Sequence, residues 1–177
     1  PLAGLSVVGP AALLPGGRLV AVGGWDGKLV LYDLRRQRTV VRLNAHEGAL
    51  RALCAVGVDR VVSGGADGKV VLWSVARRGR LRVLREHGAP VRSLACNAQL
   101  VVIGGEASEV ELRSLTAADP RVLRGHQGWV RALALGPRGR LLASAGHDRV
   151  IRLWELASGT PPPSARPPGK LQRTLPG

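Results

Sequence analysis

Four times along this chain an apolar stretch enters a small-residue turn and leaves it as a second apolar stretch. The four segments are 22–33, 63–74, 103–114 and 144–155, so their starts are 41, 40 and 41 residues apart. A fixed period of this length marks a repeated supersecondary unit that cannot bury its apolar face alone, so neighbouring units must stack. Arrays of this kind build binding surfaces far more often than active sites.

The second unit shows the internal plan. Ala49–Ala55 is an apolar inner strand, and Arg60–Gly64 is the next. Ala66–Lys69 is a hairpin turn whose Asp67-Gly68 pair is expected to supply positive φ angles. Val70–Trp73 follows, and the alternating Arg80–Leu84 closes the unit as a half-exposed outer strand. The fourth unit repeats this plan through Trp154. A proline-rich insert at 158–168 then interrupts it before Lys170–Leu175 restores an outer strand.

These residues resemble the WD-repeat family, whose signature is a Gly-His pair, a turn Asp about 20 residues on, and Trp-Asp six residues later. Gly125-His126 precedes Asp148 and Trp154-Glu155, and Ala45-His46 precedes Asp67 and Trp73-Ser74. The first unit has Asp26 and Tyr32-Asp33. The third has His87, but Ala107 and Arg113 stand where Asp and Trp belong. The resemblance implies an all-β chain of four four-stranded blades at about 5–44, 46–85, 87–124 and 126–175, part of a larger propeller of seven blades. The chain contains no Met, and it is read as a piece of a longer protein.

In the family, His, Ser or Thr, Asp and Trp form a buried series of hydrogen bonds. The resemblance places this series on His46, Ser63, Asp67 and Trp73, and again on His126, Ser144, Asp148 and Trp154. A buried carboxylate needs donors, which imidazole, hydroxyl and indole supply. The rival reading is a hydrolytic triad. Against it, the set recurs in two blades, and each Ser lies mid-strand without an exposed elbow. No other nucleophile, base or metal constellation stands out, so an enzyme, a cofactor, a metal and a small-molecule substrate are not expected.

Binding is expected on the face formed by the hairpin turns and the starts of the inner strands. That face carries Trp25, Arg51, Arg92, Trp129, Arg131 and His147, and Trp and Arg are the residue types most enriched at interface hot spots. The expected partners are proteins with acidic or aromatic-anchored segments. Segment 22–35 also fits the pattern of WD-repeat substrate receptors of cullin-4 ubiquitin ligases. There Asp33 and Arg35 would engage the ligase adaptor.

Net charge is +14, from 26 basic and 12 acidic residues. Only three of the basic residues are lysines, and GC-rich coding produces the same arginine bias. The clusters Arg35-Arg36-Gln37-Arg38 and Arg77–Arg82 fall in equivalent positions of units one and two, where charge also guards sheet edges. RNA or phosphoinositide binding through this arginine rim is the third reading. Nucleic acid ranks behind protein because the clusters hold no aromatic for base stacking. No stretch approaches the roughly 18 apolar residues of a membrane span. Cys54 and Cys96 lie in apolar strand patterns and are expected to be reduced thiols in an intracellular compartment, cytoplasmic or nuclear.

Overall fold

A computed structural model describes residues 8–116, 120–156 and 170–176. The proline-rich insert at 158–168 and the start of the first blade at 5–7 lie outside the described residues. Among the described residues every regular element is a strand, and no helix is long and apolar enough to cross a membrane. Two compact units result, Pro1–Val91 and Arg92–Gly177.

The first unit holds two antiparallel sheets in simple sequence order. The first consists of β1 (Val8–Leu13), β2 (Leu19–Gly24), β3 (Lys28–Asp33) and β4 (Arg38–Asn44). The second consists of β5 (Leu50–Val56), β6 (Arg60–Gly65), β7 (Val70–Ser74) and β8 (Gly79–Arg85). Leu29, Leu31, Leu50 and Val61 centre the core of this unit. β7 is buried at every position, whereas β8 is buried only at Leu84 and otherwise half-buried or exposed, a gradient from inside to rim.

A repeated glycine sets the spacing between sheets. A Cβ on Gly23 would lie 2.5 Å from the Leu50 side chain, so only glycine lets β5 pack against β2. Gly104 plays the same part in the second unit, where a Cβ would lie 2.8 Å from Val130. That unit contains β9 (Val91–Cys96), β10 (Leu100–Gly105), β11 (Val110–Ser114) and β12 (Arg121–Leu123). Its second sheet contains β13 (Val130–Leu135), β14 (Leu141–Gly146), β15 (Val150–Glu155) and β16 (Lys170–Pro176). The core here includes Val102, Val110, Leu123, Val130, Leu142 and Trp154.

Two local expectations are corrected. In the Asp-Gly turns only the glycines take positive φ, at 77° for Gly27 and 79° for Gly68, while neither aspartate does. The aspartates instead accept hydrogen bonds from Lys28 and Lys69 N–H, an Asx turn that makes a second left-handed residue unnecessary. Neither Cys54 nor Cys96 is a free thiol. Strand patterns report burial, whereas a disulfide depends on a Cα separation that the patterns do not encode.

Candidate functional site

The four-residue series forms in both blades that carry the motif. In the second blade Trp73 Nε1 donates to Ser63 Oγ at 2.8 Å, and that hydroxyl lies 2.7 Å from His46 Nε2. His46 Nδ1 lies 2.9 Å from Asp67 Oδ1, which also accepts Lys69 N–H, while Oδ2 accepts Glu47 N–H. A neutral imidazole with its proton on Nδ1 satisfies every member: indole to hydroxyl, hydroxyl to Nε2, Nδ1–H to carboxylate. Burial favours that neutral form and lowers the His46 pKa against the pull of Asp67.

The fourth blade repeats the series. Trp154 Nε1 donates to Ser144 Oγ at 2.8 Å, Ser144 Oγ lies 2.8 Å from His126 Nε2, and His126 Nδ1 lies 2.9 Å from Asp148. Burial opposes ionisation of Asp148, but bonds from His126, the Gln127 N–H and Arg152 outweigh it and hold the pKa at about 2. Ser63 is 0% exposed and Ser144 1%. A nucleophile must reach substrate, and these hydroxyls are sealed between indole and imidazole. Among the described residues, no three metal-ligating side chains converge either.

A separate cluster forms at the turn face of the second unit. Trp129 stacks on His147 with ring centroids 5.0 Å apart and planes 25° apart, and the Arg92 guanidinium sits 5.1 Å from the Trp129 ring. Arg92 Nε and Nη2 both donate to Glu106 Oε1, at 3.0 and 2.5 Å. The tryptophan remains 36% exposed. Two side chains thus fix its orientation while it presents apolar surface to solvent.

Repeats 37–74 and 119–155 match the family described as "WD domain, G-beta repeat". The chain thus carries WD40 repeats over these two segments. A 52-residue stretch is 48% identical to the ribosome biogenesis protein erb1 of Neosartorya fischeri, covering 29% of this chain and 7% of that protein. An 81-residue stretch is 35% identical to the nuclear distribution protein PAC1-1 of Uncinocarpus reesii, covering 46% and 16%. A 39-residue stretch is 51% identical to the pre-mRNA-splicing factor prp46 of Emericella nidulans, covering 22% and 9%. The chain therefore spans less than a fifth of the length of each of these WD40 relatives.

Of the residues expected on the WD40 binding face, Arg92, Trp129 and His147 come together. Arg131 is exposed on β13 with no side-chain partner among the described residues. Trp25, 64% exposed, and Arg51, also exposed, belong to the first unit. Glu106, on the same turn face, joins this cluster as the ion-pair partner of Arg92. Its place in the turn, equivalent to that of His147, and its charge opposite to that of Arg92 are the sequence signals for that pairing. Because Glu106 neutralises Arg92, that arginine serves to position the Trp129 ring rather than to act as a free cation.

Asp33 is only 2% exposed. Oδ2 accepts both Nε and Nη2 of Arg18, and Oδ1 accepts the N–H groups of Arg35 and Arg36. The Arg36 N–H bond, aided by Arg18, holds its pKa below the usual value. The carboxylate thus closes the β3–β4 turn, and of the expected adaptor pair only Arg35 is exposed. In the third blade Arg113, at the Trp position, pairs with Glu111, so a half-buried ion pair occurs where the motif would bury an indole.

Proposed function

We propose that this chain is a non-catalytic docking part of a larger, seven-blade WD-repeat propeller within an intracellular multiprotein assembly. In this reading the Arg92–Trp129–His147 cluster is a partner contact. The observation that carries the reading is Trp129, a hot-spot side chain whose orientation is set before any partner arrives, which lowers the ordering cost of association. The printed names of the relatives, which concern ribosome biogenesis, nuclear distribution and pre-mRNA splicing, support a cytoplasmic or nuclear setting. A larger propeller is supported by the fourth blade, where Leu141 and Ile151 stay 45% and 39% exposed. In the second blade the counterpart of Ile151, Val70, is 0% exposed.

The cullin-4 receptor reading ranks second, since its acidic residue, Asp33, is occupied within the turn. RNA or phosphoinositide binding along the rim ranks third. Affinity capture of the full-length protein, followed by mass spectrometry, tests the order. Trp129→Ala should weaken partner recovery about thirtyfold, the effect of a hot-spot loss of roughly 2 kcal/mol, with little change in melting temperature. Unchanged recovery in Trp129→Ala and Arg92→Ala would remove this face from the function. Recovery of a cullin adaptor that is lost in Arg35→Ala would promote the receptor reading.

A further inference from the structure

The arginine rim of the first unit is not a uniform solvated edge. Arg18, Arg36, Arg38 and Arg78 line one cavity of about 240 Å³ between the β3–β4 and β7–β8 turns, over an apolar floor that includes Val40 and Val75. Its single carboxylate is Asp33, so the lining carries four positive charges and one negative, a net of +3. Asp33 is already occupied by Arg18 and two backbone N–H groups. Arg36, Arg38 and Arg78 have no ion-pair partner among the described residues, although twelve acidic residues are available in the chain.

A neighbouring cavity provides the contrast. The one of about 350 Å³ beside His46 and Trp73 mixes both signs, with Glu47, Asp67 and Glu86 against Lys69 and Arg80, and Lys69 lies 3.4 Å from both Glu47 and Glu86. The arginine cavity lacks such balance, and gathering like charges is unfavourable until an anion enters. Its walls are also held in place. Asp33 fixes one turn, Ser74 Oγ and Asp59 fix the other by accepting Arg77 and Ala76 N–H, and Arg78 N–H donates to Val75 O. Arg78 adopts φ of 51°, a left-handed conformation that glycine takes freely and side-chain-bearing residues take at a cost. The turn itself would favour glycine there, so its geometry does not account for an arginine.

We propose that this cavity binds a phosphomonoester, presented by a phosphoserine or phosphothreonine of a partner protein. Guanidinium groups bind phosphate oxygens through paired, charge-assisted hydrogen bonds, and a phosphomonoester brings a charge of about −1.5 to −2 at neutral pH. A nucleic-acid diester brings a single charge per phosphate, and the lining has no aromatic to stack a base. The volume lies below the roughly 300 Å³ at which pockets enclose whole small ligands, which fits a group carried on a chain. The floor accommodates the methylene or methyl stem. The site is independent of the Trp129 cluster and of any function assigned to it.

Fluorescence anisotropy with the full chain tests the proposal. The probes are a labelled degenerate peptide with one fixed phosphoserine, its unphosphorylated twin, inorganic phosphate as competitor, an RNA homopolymer, and phosphatidylcholine vesicles containing phosphatidylinositol 4-phosphate. The phosphopeptide should bind about tenfold or more tightly than its twin. Arg78→Gly should erase that advantage with an equal or higher melting temperature, as should Arg36→Ala with Arg38→Ala. Arg77→Ala, which removes the same charge just outside the cavity, should leave it intact. Equal losses in Arg77→Ala and Arg78→Gly would overturn the site in favour of diffuse attraction. No phosphate-dependent binding, competition by inorganic phosphate at the peptide's own affinity, or preference for the vesicles or RNA would each overturn it too.

Discussion

The second and fourth blades contain the same four-residue series with hydrogen-bond lengths that agree within 0.2 Å, yet their surroundings are opposite. Opposite Ser63 in the register stands Val71, 2% exposed; opposite Ser144 stands Arg152, whose Nη1 lies 2.7 Å from Asp148 and 3.0 Å from His126 Nδ1. Gly68 follows the turn aspartate in the second blade and Arg149, at φ of 59°, in the fourth. One series is thus closed by apolar packing and glycine geometry, the other by an extra cation and a strained turn. A motif of this kind is defined by its internal hydrogen bonds and tolerates different electrostatics around them.

The largest expected separation between the blades lies in the turn. A Cβ on Gly68 would stand 2.1 Å from the Gly88 carbonyl oxygen, so Gly68→Ala should cost about 3 kcal/mol in a denaturant titration. The reciprocal Arg149→Gly should gain about 0.5 kcal/mol by relieving the left-handed arginine. A harmless Gly68→Ala would show that the second blade is no more tightly closed than the fourth.

Carboxylate removal should rank next and in the reverse order. Asp148→Ala strands Arg152, whose side chain is 12% exposed, and should cost about 3 kcal/mol. Asp67→Ala leaves no guanidinium behind and should cost about 2 kcal/mol. His126→Ala combined with Asp148→Ala should cost less than the sum of the two, because both belong to one network. Equal losses for the two aspartates would show that Arg152 does not depend on Asp148.

The smallest effect concerns protons. His46 has a folded pKa below its ordinary 6.5, so the unfolded chain binds the proton first as pH falls. Its contribution to stability is complete above 6.5 and is lost as pH drops through the folded value. The Asp148 contribution is complete above its ordinary 3.8 and is lost as pH falls from there through about 2. An NMR titration should therefore find the His46 imidazole still neutral somewhat below pH 6.5, and a midpoint at or above 6.5 would show that the pull of Asp67 outweighs burial.

Much of this was legible in the amino-acid sequence because the repeats encode local geometry. Alternation and turn aspartates located β5–β8, and the spacing of His, Asp and Trp located both networks. Arg92, Trp129 and His147 could be placed on one face because equivalent positions of successive repeats share a face. The partners of those residues were less legible. Glu106 meets Arg92 across 14 residues and Arg18 meets Asp33 across 15, contacts that depend on the reach and rotamer of long side chains rather than on strand period. The gathering of Arg36, Arg38 and Arg78 around one cavity was hidden for the same reason, since composition records how many arginines there are but not where their side chains converge.

The sealed hydroxyls of Ser63 and Ser144 have a consequence for labelling and modification. A protein kinase must draw its target residue into an extended segment within its own cleft. For either serine that would require the indole and imidazole bonds to break and the paired strands to part. A phosphate found on Ser63 or Ser144 would therefore identify molecules that were unfolded, or not yet folded, when the kinase met them. These two positions can serve as built-in recorders of blade integrity in the cell.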